Sequence, residues 1–140
     1  MRPLENSDGT YETRIEGDSL PSGRASYGLI LWQDTKNFIR FEIFSDALSC
    51  WKVIDGVGGQ CGNYQNIVTG PQYIKVKKTG TNYGVTYSND GKTWTETFGV
   101  DVPGFAVSAG GVTVNGLPDD PNTIGTFDYF TYTSTTVPKM

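Results

Sequence analysis

The 140-residue sequence contains no histidine and only two cysteines. Without histidine, the chain cannot build a serine–histidine–aspartate triad or a cysteine–histidine dyad. Histidine-ligated zinc, copper and haem sites are excluded for the same reason. Two cysteines are also too few for a four-thiolate zinc or iron–sulfur site. Carboxylates, hydroxyls, amides and aromatic rings remain as the groups that can carry a function.

Long apolar runs and positive charge are scarce as well. No apolar run approaches the roughly 18–20 residues that cross a bilayer, so no membrane span is expected. Fifteen acidic residues against eleven basic ones give a net charge of −4, which disfavours a nucleic-acid partner. The length fits one domain over residues 1–140. No signal peptide is visible, and the polar start MRPLENSDG predicts a flexible leader over residues 1–9.

The two cysteines, Cys50 and Cys61, flank the glycine-rich stretch WKVIDGVGGQ. We predict a disulfide between them, which would stabilise the fold by roughly 2–3 kcal/mol on the chain-entropy estimate. A disulfide implies an oxidising compartment and hence an extracellular or secreted protein. The alternative is a pair of free, buried thiols.

The dominant hydrophobic period is two, which predicts β-strands. Clusters of Gly, Asn, Asp and Pro between the apolar segments supply turns. Many short strands joined by turns are typical of an antiparallel sandwich or barrel. The predicted strands are Thr10–Glu16, Tyr27–Gln33, Phe38–Phe44, Trp51–Asp55, Gln72–Lys78, Tyr83–Ser88, Thr93–Phe98, Phe105–Ala109 and Thr126–Thr133.

Two hairpins have a predictable register. In the first, placing Trp32 opposite Phe38 gives one wholly apolar face, predicted as core, made of Tyr27, Leu29, Leu31, Ile39, Phe41 and Ile43. Its other face is mixed and carries Gly28, Ile30, Trp32, Phe38, Arg40 and Glu42. In the second hairpin, Val76 is expected opposite Val85 and Ile74 opposite Tyr87. Its reverse face holds polar residues that include Tyr73 and Lys75.

The segments YETRIEG, YGLILWQDTKNFIRFEI, QYIKVKKTGTNYGVTYSNDGKTW, FAVSAGG and TFDYFTY follow one another in an order that resembles the concanavalin A-like, laminin-G-like β-sandwich domains. The resemblance is closest to the accessory domain at the C-terminus of family 43 β-xylosidases and to related modules of secreted bacterial proteins. Four motifs carry it, at Gly28–Leu31, Asn37–Glu42, Tyr87–Trp94 and Phe127–Phe130. The resemblance implies an antiparallel two-sheet jelly-roll sandwich.

The chain departs from this family pattern at its start. The family domain begins with additional strands before the one that matches TYETRIEG, and this chain has almost nothing there. The sequence therefore indicates a fragment, a trimmed chain, or a variant whose sheet edge is filled in another way. An uncovered edge would favour strand pairing between molecules, so a homodimer is allowed.

The stretch SNDGKTW is similar to the Asp-box turn of sialidases but is one residue short and occurs once. We interpret it as a hairpin turn with Gly91 at positive φ and Trp94 packing behind it.

The mixed face of the first hairpin combines residue types that suit a sugar. The apolar face of a pyranose can stack on an aromatic ring, while its hydroxyls need charged or amide partners. Trp32, Arg40, Glu42 and Trp51 are therefore candidate carbohydrate-binding residues, and Tyr73 and Lys75 extend the surface if both hairpins share a sheet. In the alternative, Trp32 and Phe38 only cover the sheet where missing strands or another domain would pack. Arg40 and Glu42 would then be an ion pair worth under about 1 kcal/mol.

The residues also suggest two other types of site. Sandwiches of this type often hold a calcium ion, and Asp128, with Asp18 or Glu16 and backbone carbonyls, offers the oxygen ligands that calcium prefers. No cofactor is required. For catalysis, Glu12 and Glu16 form a crude carboxylate pair on one strand face, but the closely spaced carboxylates of glucanases with this fold are absent.

The sequence thus predicts a non-catalytic carbohydrate-binding or accessory module of a secreted bacterial protein. Its expected partners are a polysaccharide or glycan and the neighbouring domains of a longer chain. The alternative is a structural or adhesion module with no sugar site of its own, and a glycoside hydrolase is the least favoured reading.

Overall fold

The computed structural model describes residues 1–16, 26–44, 47–65, 67, 70–115 and 126–134, without the side chains of residues 16, 115 and 126–128. All of its regular elements are β-strands. They are β1 (Arg2–Pro3), β2 (Gly9–Glu16), β3 (Ser26–Asp34), β4 (Asn37–Phe44), β5 (Ala47–Ile54), β6 (Val57–Tyr64), β7 (Gln72–Thr79), β8 (Asn82–Ser88), β9 (Thr95–Asp101), β10 (Ala109–Asn115) and β11 (Thr126–Ser134).

The strands form two antiparallel sheets. The six-stranded sheet has the order β1-β10-β3-β4-β5-β6, and the five-stranded sheet has the order β11-β2-β7-β8-β9. Each sheet turns one face inward, because alternating residues point to opposite sides of a strand. The predicted all-β, antiparallel two-sheet sandwich is therefore confirmed.

The core lies between the two sheets. The predicted register of the first hairpin is confirmed, since Trp32 pairs with Phe38, Leu31 with Ile39, Leu29 with Phe41 and Tyr27 with Ile43. The second register is also confirmed, with Val76 opposite Val85 and Ile74 opposite Tyr87. The inward residues of both hairpins are almost completely buried: Tyr27, Leu29, Leu31, Ile39, Phe41, Ile43, Ile74, Val76, Val85 and Tyr87.

The first residues, for which the sequence predicts a flexible leader, contact the sandwich in the structure. β1 pairs with β10, and the amide of Leu4 donates to the carbonyl of Ser108 at 3.0 Å. The side-chain oxygen of Asn6 accepts from the amide of Val107 at 3.0 Å, and that of Asp8 accepts from the amide of Gly80 at 2.9 Å. The described edge beside β10 is thus filled by a two-residue strand whose Pro3 limits further pairing.

Two further strands differ from the prediction. No strand is predicted where β6 lies, and its hairpin with β5 turns at Asp55 and Gly56, which both have positive φ. That combination is typical of a tight two-residue hairpin turn. β10 begins at Ala109, where the predicted strand ends. Phe105 and Val107 are nevertheless buried, because they pack on the core from a segment outside the ladder.

The SNDGKTW turn has the predicted form. Gly91 has a φ of 75°, and Trp94 packs edge-to-face on Tyr73 with ring centroids 6.1 Å apart. The carboxylate of Asp90 accepts from the amides of Lys92 and Thr93, both at 2.8 Å. These hydrogen bonds favour the charged form, so they lower the pKa of Asp90 to about 2.

Candidate functional site

The outer face of the six-stranded sheet contains an open depression of ≈ 510 Å³. We call it the Arg40–Trp51 depression, after two residues that face each other across β4 and β5. Alternation along β4 brings Arg40, Glu42 and Phe44 to this face, and the register places Ser49 opposite Glu42. Its full lining among the described residues is Ser26, Arg40, Glu42, Phe44, Ser49, Cys50, Trp51 and Gln60.

The charged centre of the depression is an ion pair. Arg40 Nε lies 3.6 Å from Glu42 Oε1, and the two side chains are 24% and 10% exposed. Glu42 Oε2 accepts a hydrogen bond from Ser26 Oγ at 2.8 Å, which holds the carboxylate in place. No acceptor within the described residues hydrogen-bonds Arg40 Nε. The pair is therefore held by charge attraction at the buried Nε, and a ligand would meet the part of the Arg40 side chain that remains exposed.

Two aromatic side chains border this centre. Trp51 remains 38% exposed and Phe44 39% exposed. The indole of Trp51 lies against the backbone of Gly58 on β6, where an added Cβ would be only 2.7 Å from the ring. The missing side chain at Gly58 thus lets the indole lie close to the sheet. An exposed ring beside charged hydrogen-bonding groups is the arrangement that a sugar needs.

The disulfide supports the same part of the sheet. Cys50 and Cys61 are joined across β5 and β6, as predicted. Cys50 pairs with Gly62 while Trp51 pairs with Gln60, so Cys61 falls in a β-bulge between these pairs. A bulge redirects the neighbouring side chains. The crosslink therefore fixes the local geometry that places Trp51 and Gln60 at the depression.

Trp32 lies on the same sheet face but outside the lining of the depression. Its ring stacks on Phe38 with centroids 5.4 Å apart and an interplanar angle of 17°. This contact fits the alternative interpretation, in which Trp32 and Phe38 cover the sheet. The structure thus brings Arg40, Glu42 and Trp51 together and leaves Trp32 beside them.

Tyr73 and Lys75 do not extend this surface. The second hairpin, β7–β8, belongs to the five-stranded sheet, so these residues lie on the opposite outer face of the sandwich. The expected extension is therefore wrong, because it required both hairpins in one sheet. Tyr73 and Lys75 instead belong to a group that we call the Tyr73–Trp94 cluster, formed with Glu12, Arg14, Trp94 and Tyr129.

Within the Tyr73–Trp94 cluster, the polar groups engage one another. Glu12 Oε1 lies 3.6 Å from Lys75 Nζ, and Glu12 Oε2 accepts from Tyr129 Oη at 2.6 Å. Burial and the Glu12 carboxylate both raise the pKa of Tyr129. Glu12 thus has two partners on neighbouring strands, an environment typical of a structural carboxylate. Its supposed partner in a catalytic pair, Glu16, has its side chain outside the described residues.

The predicted calcium ligands also fall largely outside the description. Asp18 and the side chains of Glu16 and Asp128 are not described, so calcium stays a prediction. Among the side chains that are described, no three acidic or cysteine residues cluster as a metal site would require. The part of the chain that the structure covers also lacks any helix with the length and apolar character needed to span a bilayer.

Sequence reasoning missed five lining residues: Ser26, Phe44, Ser49, Gln60 and Cys50, the last of which it placed only in the disulfide. Phe44 carried a usable signal, because it is two and four residues from Glu42 and Arg40 and alternation puts all three on one face. Gln60 carried no such signal, since no strand is predicted over residues 57–64.

Solved structures with known folds resemble this sandwich. The GH43 BlXynB protein from Bacillus licheniformis matches with a TM-score of 0.71 and 17% identity over 89% of this chain, which spans 27% of that protein. The carbohydrate binding module CBM66 from Bacillus subtilis matches with a TM-score of 0.66 and 17% identity, over 94% of this chain and 78% of the module. Sheep galectin-11, solved in complex with glycerol, matches with a TM-score of 0.64 and 14% identity, over 95% of this chain and 98% of the galectin.

No family model matches the chain, and no curated protein matches its sequence. The structural likeness shows that the chain has a lectin-like β-sandwich fold. A fold of this kind hosts several functions, so the function has to be argued from the site.

Proposed function

We propose that this chain is a non-catalytic carbohydrate-binding or accessory module of a secreted bacterial protein, and that it binds glycan at the Arg40–Trp51 depression. The observation that carries the proposal is the exposed indole of Trp51 in the same depression as Arg40, whose backbone pairs with that of Trp51, and as Glu42. A sugar stacked on Trp51 would have a donor and an acceptor within reach of its hydroxyls.

The comparisons support the same function. One similar structure is a carbohydrate binding module, and another is a GH43 protein in which the match covers about a quarter of the chain. The disulfide between Cys50 and Cys61 supports an oxidising, extracellular setting. The non-catalytic part rests on the absence of histidine and on the engagement of Glu12 by Lys75 and Tyr129.

Glycan-array binding followed by calorimetry tests the proposal on wild type, Trp51→Ala and Trp32→Ala. Trp51→Ala should weaken binding at least about tenfold, which corresponds to about 1.4 kcal/mol of lost stacking and burial. Trp32→Ala, the matched tryptophan outside the depression, should change affinity by less than about twofold, a difference below about 0.4 kcal/mol.

Three outcomes would contradict the proposal. If the folded wild type binds no glycan, the structural or adhesion alternative is favoured. If binding survives Trp51→Ala, the site lies elsewhere. Turnover of xylan or β-glucan by the purified chain would overturn the non-catalytic assignment.

A further inference from the structure

We infer that the ligand of the Arg40–Trp51 depression is an uncharged oligosaccharide of at least two sugar units, lying along β4 and β5 between Trp51 and Phe44. This inference rests on the proposed function and specifies its ligand class. Two independent features of the depression carry it, namely the charge of its lining and the separation of its two exposed rings.

The charge of the lining balances to zero. Arg40 and Glu42 are the charged members of the described lining, and the others are neutral. Because the two charges are 3.6 Å apart, a group that approaches one also approaches the other. A sugar carboxylate would gain from Arg40 but would be repelled by Glu42 and by the chain's net charge of −4. The ammonium group of an amino sugar would gain from Glu42 and from the net charge but would be repelled by Arg40.

A neutral hydroxyl pair meets no such conflict. Arg40 only donates hydrogen bonds and Glu42 only accepts them, whereas a sugar hydroxyl does both. Two neighbouring hydroxyls can therefore accept from Arg40 and donate to Glu42 at the same time. The pair then acts as a selective element, because it penalises either sign of ligand charge.

The length of the ligand follows from the backbone positions of the two aromatic residues. Phe44 pairs with Ala47, which lies four residues before Trp51 on β5. At the rise of a β-strand this separates the two positions by about 13 Å along the sheet. The indole of Trp51 also leans toward Gly58, which pairs with Val53 and is therefore farther still from Phe44. One pyranose ring cannot contact both, whereas a short oligosaccharide can.

The experiment compares defined glycans by calorimetry. The probes are neutral gluco-, xylo-, manno- and galacto-oligosaccharides of one to six units, the matching oligouronates, and glucosamine oligomers. Wild type should bind its preferred neutral series at least tenfold more tightly than the charged series. Affinity should also rise at least tenfold from the monosaccharide to the oligomer that spans both rings.

Variants separate the two features. Phe44→Ala should weaken binding of the preferred oligomer at least fivefold and leave monosaccharide binding unchanged. Val57→Ala, an exposed apolar residue outside the lining, is the matched control and should change neither. Glu42→Gln keeps the shape but removes the negative charge, so it should raise the affinity for oligouronates relative to neutral glycans at least fivefold. Thermal melting of each variant verifies the fold.

Each outcome decides a specific part of the inference. Charged glycans that bind wild type as tightly as neutral ones would overturn the uncharged ligand class while leaving carbohydrate binding intact. Equal affinity for monomer and oligomer, or no effect of Phe44→Ala, would overturn the extended ligand. If no glycan of any kind binds, the proposed function fails, and this inference fails with it.

Discussion

The outer faces of the two sheets contain similar residue types but expose their aromatic rings differently. On the five-stranded sheet, Lys75 Nζ lies 3.8 Å from the centroid of the Trp94 ring, and Arg14 Cζ lies 5.5 Å from that of Tyr73. On the six-stranded sheet, Trp51 and Phe44 keep more than a third of their surface in contact with solvent. An aromatic ring beside a charge is therefore not sufficient to identify a sugar site, since the chain's own cations can occupy the ring face.

The polar groups of the two faces differ in the same way. In the Tyr73–Trp94 cluster, Arg14 Nε donates to Tyr73 Oη at 2.9 Å, and Glu12 has both Lys75 and Tyr129 as partners. In the Arg40–Trp51 depression, Arg40 Nε is 3.6 Å from its carboxylate partner, beyond a good hydrogen bond. The polar groups of the first face thus hydrogen-bond one another, whereas Arg40 and Glu42 on the second face are joined by charge attraction.

The largest expected effect is a loss of stability on adding a side chain at Gly28, compared with the same change at Gly84 on the other sheet. A Cβ at Gly28 would lie 2.1 Å from the carbonyl oxygen of Phe41 and 2.6 Å from the Cα of Glu42, both backbone atoms. Gly28→Ala should therefore destabilise the fold by about 3 kcal/mol or more. Gly84, on the five-stranded sheet, has no atom within 4 Å of such a Cβ. Gly84→Ala should be neutral or stabilising by up to about 1 kcal/mol.

Urea unfolding of both alanine variants measures this contrast. Similar midpoints for Gly28→Ala and Gly84→Ala would contradict the close approach of β3 and β4 at Gly28. If Gly28→Ala still folds, the backbone at Glu42 must shift to make room, because Glu42 pairs directly with this position. The variant would then also test the depression that Glu42 lines.

A smaller effect is expected from removing the disulfide. The Cys50→Ala/Cys61→Ala variant opens a loop of 11 residues and should lose about 2–3 kcal/mol of stability. Amide exchange should quicken in β5 and β6, which the crosslink joins, more than in the uncrosslinked hairpin β7–β8. Glycan affinity should fall too, because the bulge at Cys61 positions Trp51 and Gln60. Uniform quickening in both sheets, with unchanged affinity, would contradict a local role for the bridge.

Much of the fold could be predicted because its central hairpins alternate cleanly. Only one register buries Leu29, Leu31, Ile39 and Phe41 together, so the β3–β4 pairing follows from the residues alone. β6 could not be found this way, because VGGQCGNY has no apolar alternation and glycine disfavours strands. It is a strand because β5, the turn at Asp55 and Gly56, and the disulfide hold it there.

The candidate site was only half predictable for a related reason. Arg40 and Glu42 could be placed on one face from β4 alone, and Trp51 lies there because β5 pairs with β4. Which sheet contains the second hairpin depends on β2 and β7 pairing over a long sequence separation, and no local pattern reports it. The sequence therefore leaves open whether Tyr73 and Lys75 share a surface with Trp51, and the sheet order shows that they do not.

The smallest expected effect is the coupling between Lys75 and the Trp94 ring that it covers. A double-mutant cycle of Lys75→Met and Trp94→Leu should give a coupling of about 0.5–1 kcal/mol, the value for a cation over a partly exposed ring. Methionine keeps the apolar stem of Lys75, and its loss of the Glu12 ion pair enters both arms of the cycle and cancels. The same cycle at Arg40→Met and Trp51→Leu should give a coupling near zero, because within the described residues no cation–π contact joins that pair. Equal couplings in the two cycles would mean that Arg40 already occupies the face of the Trp51 ring. The two outer faces would then no longer differ in whether one of the chain's own cations covers the ring, which is the property that distinguishes the proposed site.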